Sequence, residues 1–325
     1  MARGAAVVRF LLVAALVLAG SAAARAGEAV TYLLPAPTFL PAFGPWMLAQ
    51  QRGYYAKEGL DVSFEVAKGG ADVAKQVGVG NAVIGGALGD TPIIVRANGV
   101  PVRAVAVLGG GGLMQLVLHA DSPIRRPADL KGRTVTVSAF QETTYYALLG
   151  MLAKDGLSKN DVDIQAAGPV NIWKLFLAGK ADAMAAVPDW IVDVEHAGAK
   201  VRVIPSSEYF QSMAQAILAS DTVIKTKPDL VRKLVRATVH GMTDIMADPT
   251  TAAADYVKLV HERAGQEAQM AEVFRLYNTY VYPGQKRPGE IDEPRLAALE
   301  KFYVAQGIVE RATPVPDLYT NEFVP

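Results

Sequence analysis

Ser138, Gln141, Thr143 and Thr144 fall within the seven positions 138–144, between a β-branched run and a helical pattern in "TVTVSAFQETTYYALLGMLAKDGL". A single such residue suffices as a helix cap or turn former. All of them together, at a helix start where free N–H groups and the positive dipole end already gather, make a donor set able to hold the polar end of a small solute. Two acids stand out in the same way. Asp90 in "GALGDTP" and Asp189 in "AAVPDW" each follow an apolar run. Either can cap a helix or close a turn; if both face a ligand, the pair favours N–H donors or positive charge over a bare anion. Phe39 and Trp190 lie in loops, where stacking and structural plugging are both open, and Phe210 is close by. Trp46 sits within a helical pattern and is expected in the core.

Covalent and metal chemistry find little support. The four histidines, His119, His196, His240 and His261, show no metal-ligand spacing and none adjoins a nucleophile. There is no G-x-S-x-G elbow and no phosphate-binding loop; the run Gly109–Gly112 lacks the strand–glycine–helix order and is expected to give backbone freedom. The chain has no cysteine, which removes one class of nucleophile and any disulfide framework. No cofactor and no metal are expected.

The elements that must position these residues alternate in type. "AVTYLL", "AFGPWMLAQQRGYYAKEG", "LDVSFEVA", "GADVAKQVGVG" and "AVIGGAL" predict strand, helix, strand, helix and strand. "RTVTVS", "TTYYALLGMLAKDG", "DVDIQAAG", "NIWKLFLAGK" and "ADAMAAV" repeat the rhythm. "AKEGL" at 56–60 answers "AKDGL" at 153–157, an offset of 97, and "KQVGVGNAVIGGALGD" from Lys75 answers "KLFLAGKADAMAAVPD" from Lys174, an offset of 99. This places Asp90 and Asp189 at equivalent positions and predicts two similar α/β lobes with mostly parallel sheets. Ligands bind beyond the carboxyl ends of such strands, so Gly89–Thr91 and the 138–144 loop would face one interlobe space. Chain crossings are expected near Met114–Leu118 and Gln215–Ala219, as a hinge would require. From Lys227 the pattern is helical and should pack on the first lobe, with the tail "PVPDLYTNEFVP" docked.

Residues 1–26 hold Arg3, Arg9 and Arg25, an apolar core and the small positions Ala24 and Ala26, the order of an export signal cleaved after Ala26. The remainder has 32 − 3 = 29 basic against 32 acidic residues and no basic block, which gives no footprint for nucleic acid. The expected divisions are a signal at 1–26, one lobe from 27–115 and 219–325, and the other from 116–218.

"PWMLAQQRGYYAKEGLDVSFEVAKGGADVAKQVGVGNAVIGG", "DLKGRTVTVSAFQETTYYALLGMLAKDGL" and "LFLAGKADAMAAVPDW" resemble the periplasmic binding proteins of the nitrate, sulfonate, taurine and thiamine-precursor import group. The resemblance implies a bilobal type II binding fold joined by a two-strand hinge, which closes on one small solute and delivers it to a membrane permease with an ATPase subunit. It implies a periplasmic monomer whose pocket is lined by Pro37, Thr38 and Phe39, by Gly89, Asp90 and Thr91, by Ser138–Thr144, and by Asp189 and Trp190. Two positions depart from the family pattern: Asn81 follows Gly80 where an acid is usual, and the tryptophan–acid–proline element is rearranged as Pro188-Asp189-Trp190. Desulfinases and yeast-type pyrimidine synthases share this fold but depend on cysteine. The alternative to solute import is therefore a cysteine-free enzyme acting on a small aromatic or heteroaromatic acid. A sensory ligand module is the third possibility; no fused signalling domain supports it. Among solutes, amino-bearing heteroaromatics such as thiamine-precursor pyrimidines rank first, then sulfonates or taurine, then aromatic carboxylates.

Overall fold

The computed structural model describes residues 27–140 and 142–325. The expected export segment and Gln141 lie outside the described residues. No helix among the described residues is long and apolar enough to cross a membrane.

Two five-stranded sheets organise the molecule. The first contains β1 (Glu28–Leu34), β2 (Leu60–Val66), β3 (Ile84–Leu88), β4 (Val102–Val107) and β10 (Gln215–Ser220), in the order β2-β1-β3-β10-β4. The second contains β5 (Gln115–His119), β6 (Thr134–Val137), β7 (Asp163–Ala166), β8 (Ala183–Ala186) and β9 (Val201–Pro205), in the order β7-β6-β8-β5-β9. The two orders superpose strand for strand. In each sheet the strands of one βαβαβ unit run parallel, and one antiparallel strand is inserted next to the last of them. That inserted strand belongs by chain order to the other half: β5 follows β4, and β10 follows β9. Both are central in their sheets, and the all-buried run of β10 and the four buried residues of β5 fit strands covered on both faces. The chain passes between sheets in residues 108–114 and 206–214, just ahead of the crossings that the sequence predicts.

Helices fill the connections. They are α1 (Gly44–Gln51), α2 (Tyr54–Lys57), α3 (Gly70–Gly78) and α4 (Thr91–Arg96) in the first half, and α5 (Thr143–Lys154), α6 (Gly168–Leu177) and α7 (Pro188–His196) in the second. The single helix expected over 42–59 divides into α1 and α2, because Gly53 turns left-handed between them (φ 68°). After β10 come α8 (Asp221–Thr226), α9 (Pro228–Ala247), α10 (Pro249–Leu259), α11 (Glu267–Tyr280), α12 (Glu293–Ala305) and α13 (Val315–Leu318). α9 and α10 pack on α1. Proline opens α7, α9 and α10, where its missing N–H costs nothing. The tail docks: Thr320 N–H donates to Ala104 O (2.9 Å), and Leu318 and Phe323 are buried.

The internal repeat is visible at the level of single hydrogen bonds. Gly59 and Gly156 end their helices at φ 75° and 78°, donating to Ala56 O and Ala153 O. The acid before each glycine meets an arginine, Glu58 with Arg236 and Asp155 with Arg126 (2.6 Å in both). Gly80 and Gly179 terminate α3 and α6 in the same way, with Asn81 N–H on Gln76 O and Lys180 N–H on Leu175 O. β3 and β8 then begin at aligned residues, Ile84 and Ala183.

The glycine run Gly109–Gly112 serves a different purpose from the one expected. A Cβ on Gly111 would lie 1.9 Å from Tyr280 O, on Gly109 2.2 Å from Val281 O, and on Gly110 2.5 Å from Pro283 O. Gly111 N–H donates to Val281 O (2.8 Å). The run lets the first crossing lie directly on the backbone of 280–283; it is a close approach rather than a loose linker.

Candidate functional site

The carboxyl ends of β3 and β8 both lead into the region where the two halves meet. A narrow crevice there is lined by Leu88, Leu113, Met114, Thr144, Ala147, Ser212 and Met213. These residues come from the end of β3, both crossings and the start of α5. The walls are nearly in contact. Thr144 is buried, and its Oγ1 has no hydrogen-bond partner among the described residues; the same holds for Ser212 Oγ and Ser206 Oγ. Orphaned hydroxyls at such depth ask for a partner.

Asp90 lies beside this crevice, wholly buried, and its side chain does not cap α4. Tyr303 of α12 donates its hydroxyl to Asp90 Oδ2 at 2.5 Å. Burial, and then the Asp90 charge, push the Tyr303 hydroxyl well above its usual range. Tyr146 of α5 stacks obliquely on Tyr303 (5.3 Å between ring centres), and its pKa is raised by burial, with smaller contributions from Tyr145 and Asp90. Arg295, also on α12, donates Nη1 to Gly110 O and Nε to Gln211 O (3.1 Å), one carbonyl from each crossing. Burial pulls its pKa down to about 10, against the opposing charges of Asp292 and Asp90. A buried acid with two tyrosines therefore lies close in the chain to residues that line the crevice, Leu88 and Ala147. The arginine nearby gives Nε and Nη1 to the crossings, and its Nη2 is buried without a partner among the described residues.

The other predicted residues are distributed as follows. Ser138 is buried after β6 near Glu142, whose carboxyl pKa is raised by burial and lowered to a lesser extent by Ser138. Thr143 opens α5. Thr91 Oγ1 accepts Leu88 N–H (3.2 Å), a local bond at the start of α4. Gly89 is packed so that a Cβ would touch Val107 and Met213. Phe39 is exposed at 36%, and its carbonyl accepts from Tyr256 Oη (3.0 Å) and Arg263 Nε (3.2 Å); Thr38 is half-buried beside it. Phe210 sits on Gly150 and against Phe302 (4.7 Å). Trp190 is buried at the start of α7, and Trp46 is in the core.

Asp189 is also buried, and both its oxygens meet protein donors. Oδ2 accepts Ala42 N–H (3.3 Å), and Oδ1 accepts the Tyr277 hydroxyl (2.9 Å). Desolvation is the main cause that raises its pKa to about 6.

Sequence reasoning did not single out Tyr303, Ser212, Glu142 or Arg295. Glu142 adjoins the hydroxyl cluster and could have been included. Tyr303 and Arg295 lie more than 200 residues from Asp90, within an ordinary amphipathic helix pattern, and nothing local marks them.

A larger crevice of about 400 Å³ lies behind the crossings, between Val107–Gly110 and residues 284–295 with Tyr319 and Asn321. Several of its polar groups bond within the protein, Tyr319 to Glu293, Asn321 to Ile291, and Gln285 to Val107 and Glu290, whereas the buried Glu290 Oε2 and Arg295 Nη2 have no partner among the described residues. Among the described residues no group of three or more His, Cys, Asp or Glu could hold a metal ion.

Comparison with known proteins gives the architecture a family. The model of the NMT1/THI5-like family matches residues 40–252. The riboflavin-binding protein RibY of Chloroflexus aurantiacus is 26% identical over 291 residues, covering 87% of this chain and 82% of that protein. The 4-amino-5-hydroxymethyl-2-methylpyrimidine phosphate synthase THI12 of Saccharomyces cerevisiae is 25% identical over 331 residues, covering 91% and 88%. The periplasmic aliphatic sulphonate binding protein SsuA of Escherichia coli matches in structure with a TM-score of 0.71 and 19% identity, over 89% of this chain and 91% of that one. The chain has the two-lobed periplasmic binding protein fold and belongs to the NMT1/THI5-like family.

Proposed function

We propose that this protein is the periplasmic solute-binding component of an ABC importer, capturing a small amino-bearing heteroaromatic solute between its halves and delivering it to a permease with an ATPase subunit. The observation that carries the choice of solute is the buried Asp90 with its tyrosine partners Tyr303 and Tyr146 beside the orphaned Thr144 and Ser212 hydroxyls. A desolvated carboxylate repels a sulfonate or nitrate and attracts N–H donors, and tyrosine rings offer faces to a flat ring. The relatives' names point the same way, since a flavin and an aminopyrimidine are both flat nitrogen heterocycles. The solute contacts in this reading are Thr38, Phe39, Gly89–Thr91, Ser138, Gln141, Thr143, Thr144 and Phe210, with Tyr146, Ser212 and Tyr303 added. Closure follows from the differential contacts that the solute makes with the two halves. The halves divide at 115/116 and 218/219 in this reading, and the molecule acts as a monomer exported through its N-terminal segment.

The kinship with pyrimidine synthases keeps one rival alive, an enzyme acting on a small heteroaromatic. The absence of cysteine removes one class of nucleophile from that rival. A thermal-unfolding screen with 4-amino-5-hydroxymethyl-2-methylpyrimidine, riboflavin, taurine and nitrate decides between these readings. A true solute at 100 times its Kd stabilises by about 2.7 kcal/mol. The expected result is stabilisation by a heterocycle, none by the anions, and recovery of the solute unchanged. Stabilisation by taurine or nitrate alone overturns the choice of solute, and chemical conversion of a bound heterocycle overturns the binding role.

A further inference from the structure

We infer that Asp189 is a positioning residue, a latch between the two halves that sets how readily they close, rather than a contact to the solute. This rests on the reading of the molecule as a closing binding protein, but not on which solute it takes.

The geometry is specific. Asp189 begins α7, which packs on the second sheet, yet its carboxylate reaches two groups held by the first half. These are Ala42 N–H in the turn Pro41–Phe43 before α1 and the Tyr277 hydroxyl on α11. α11 in turn packs on α10, which packs on α1. The same face of α7 continues the contact with weaker rungs: Gln269 Nε2 donates to Asp193 Oδ1 (3.1 Å), and His196 pairs with Glu272 (2.7 Å) where both are exposed. The Asp189 rung is the most deeply buried of the three, so it loses the most water on closing and regains it on opening. That makes its bonds depend on the interlobe distance in a way that exposed pairs do not.

The titratable and charged groups facing Asp189 are few. Asp193 on its own helix repels it, and Arg263 and His196 act on Asp193 in the opposite sense. Tyr277 of α11, Tyr256 of α10 and Tyr282 beyond α11 face it as buried, neutral phenols. With no cation against it among the described residues, the closed site favours the protonated acid, and the open site, wetted, returns it to the ordinary carboxylate range. Acidification from neutral pH therefore strengthens closure. A pKa of about 6 closed against an ordinary 3.8 open corresponds to roughly 100-fold in the closed-to-open ratio between fully ionised and fully protonated acid.

The chemistry of two substitutions separates a latch from a filler. Asp189→Asn keeps a carbonyl for Ala42 N–H and offers an N–H to the Tyr277 oxygen, so it mimics the protonated acid. Asp189→Ala removes both bonds. Small-angle scattering of the purified ligand-free protein between pH 7.5 and 5 reads the outcome, with Trp190 fluorescence as a second report from the same helix. The expected results are compaction of the parent protein as pH falls, an Asn variant compact at both pH values, and an Ala variant expanded at both. An Asn variant that opens like Ala, or a parent whose dimensions ignore pH, overturns the latch. If the Ala variant does not fold, the pH response of the parent against the Asn variant still decides. Because no solute is added, failure of the proposed solute leaves this result standing, and the converse also holds.

Discussion

Asp90 and Asp189 occupy equivalent places in two halves built on one plan, each directly beyond the third strand of its sheet, and each accepts a tyrosine hydroxyl from the C-terminal helices. Their surroundings nevertheless diverge. Tyr303 reaches Asp90 from α12, close to the crossings and the narrow crevice, where Thr144 and Ser212 hydroxyls have no partner among the described residues. Asp189 receives Tyr277 from α11 and a backbone N–H from the opposite half. A duplicated scaffold thus presents the same carboxylate twice, and what packs over each end decides whether it faces the crevice or ties the halves together. The difference comes from the helical extension after β10, for which the second half has no counterpart.

The largest expected separation between the two acids is in solute affinity. Asp90→Ala should reduce affinity for the stabilising heterocycle by about 100-fold, the scale of a lost charged hydrogen bond plus a stranded partner. It should also destabilise the fold by ~1–3 kcal/mol, because the Tyr303 hydroxyl is left buried without its acceptor. Isothermal titration and urea unfolding read the two effects, and equal affinity losses for Asp90→Ala and Asp189→Ala would erase the distinction between the two ends.

Next comes pH. Asp189 titrates near 6 in the closed fold against an ordinary 3.8 in the unfolded chain, so below about pH 4 it is protonated in both states and costs nothing. As pH rises from 4 through 6 the folded chain holds on to a proton that the unfolded chain has lost. Stability therefore falls across that window, by on the order of 3 kcal/mol in total. Urea unfolding at pH 5 and 7.5 should show this slope in the parent and its loss in Asp189→Asn. An unchanged slope would assign the pH dependence to other buried acids such as Asp193 or Glu142.

How much of this was legible in the sequence follows from what is local. The repeat, the strand and helix alternation and the equivalence of Asp90 with Asp189 all lie in segments of twenty residues or fewer, where periodicity, glycine helix ends and acid–glycine pairs speak directly. Thr144 at the start of α5 was legible for the same reason. The partners were not. Tyr277 and Tyr303 read as helix-face aromatics, and their hydroxyls acquire meaning only once the C-terminal helices have folded back over the first sheet. The glycine run illustrates the limit from the other side: its composition suits freedom or close approach equally, and only the backbone of Tyr280–Pro283 lying against it selects the second. Asn81, which departs from the family's usual acid, is accommodated by donating Nδ2 to Gln76 Oε1 (2.6 Å) at the end of α3.

Smaller effects sharpen the same contrast. Tyr303→Phe and Tyr277→Phe each delete one hydroxyl from a buried carboxylate, and each should lower stability by about 1–3 kcal/mol in urea unfolding. The affinity loss should follow Tyr303→Phe alone, whereas Tyr277→Phe should act on the open–closed balance and leave the contacts within the closed site intact.

Thr144→Val gives the smallest and most discriminating change. It preserves shape and β-branching within α5 and deletes a buried hydroxyl that has no partner among the described residues, so stability should hold within about 0.5 kcal/mol or improve. If that hydroxyl is there for the solute, affinity should still fall by roughly fivefold, about 1 kcal/mol, when titrated with the heterocycle. A helix-start threonine that serves only its own helix would give the reverse pattern, with stability lost and affinity kept. The same titration on Ser138→Ala tests the neighbouring hydroxyl, which acts on the Glu142 carboxyl and should therefore change affinity less than Thr144 does.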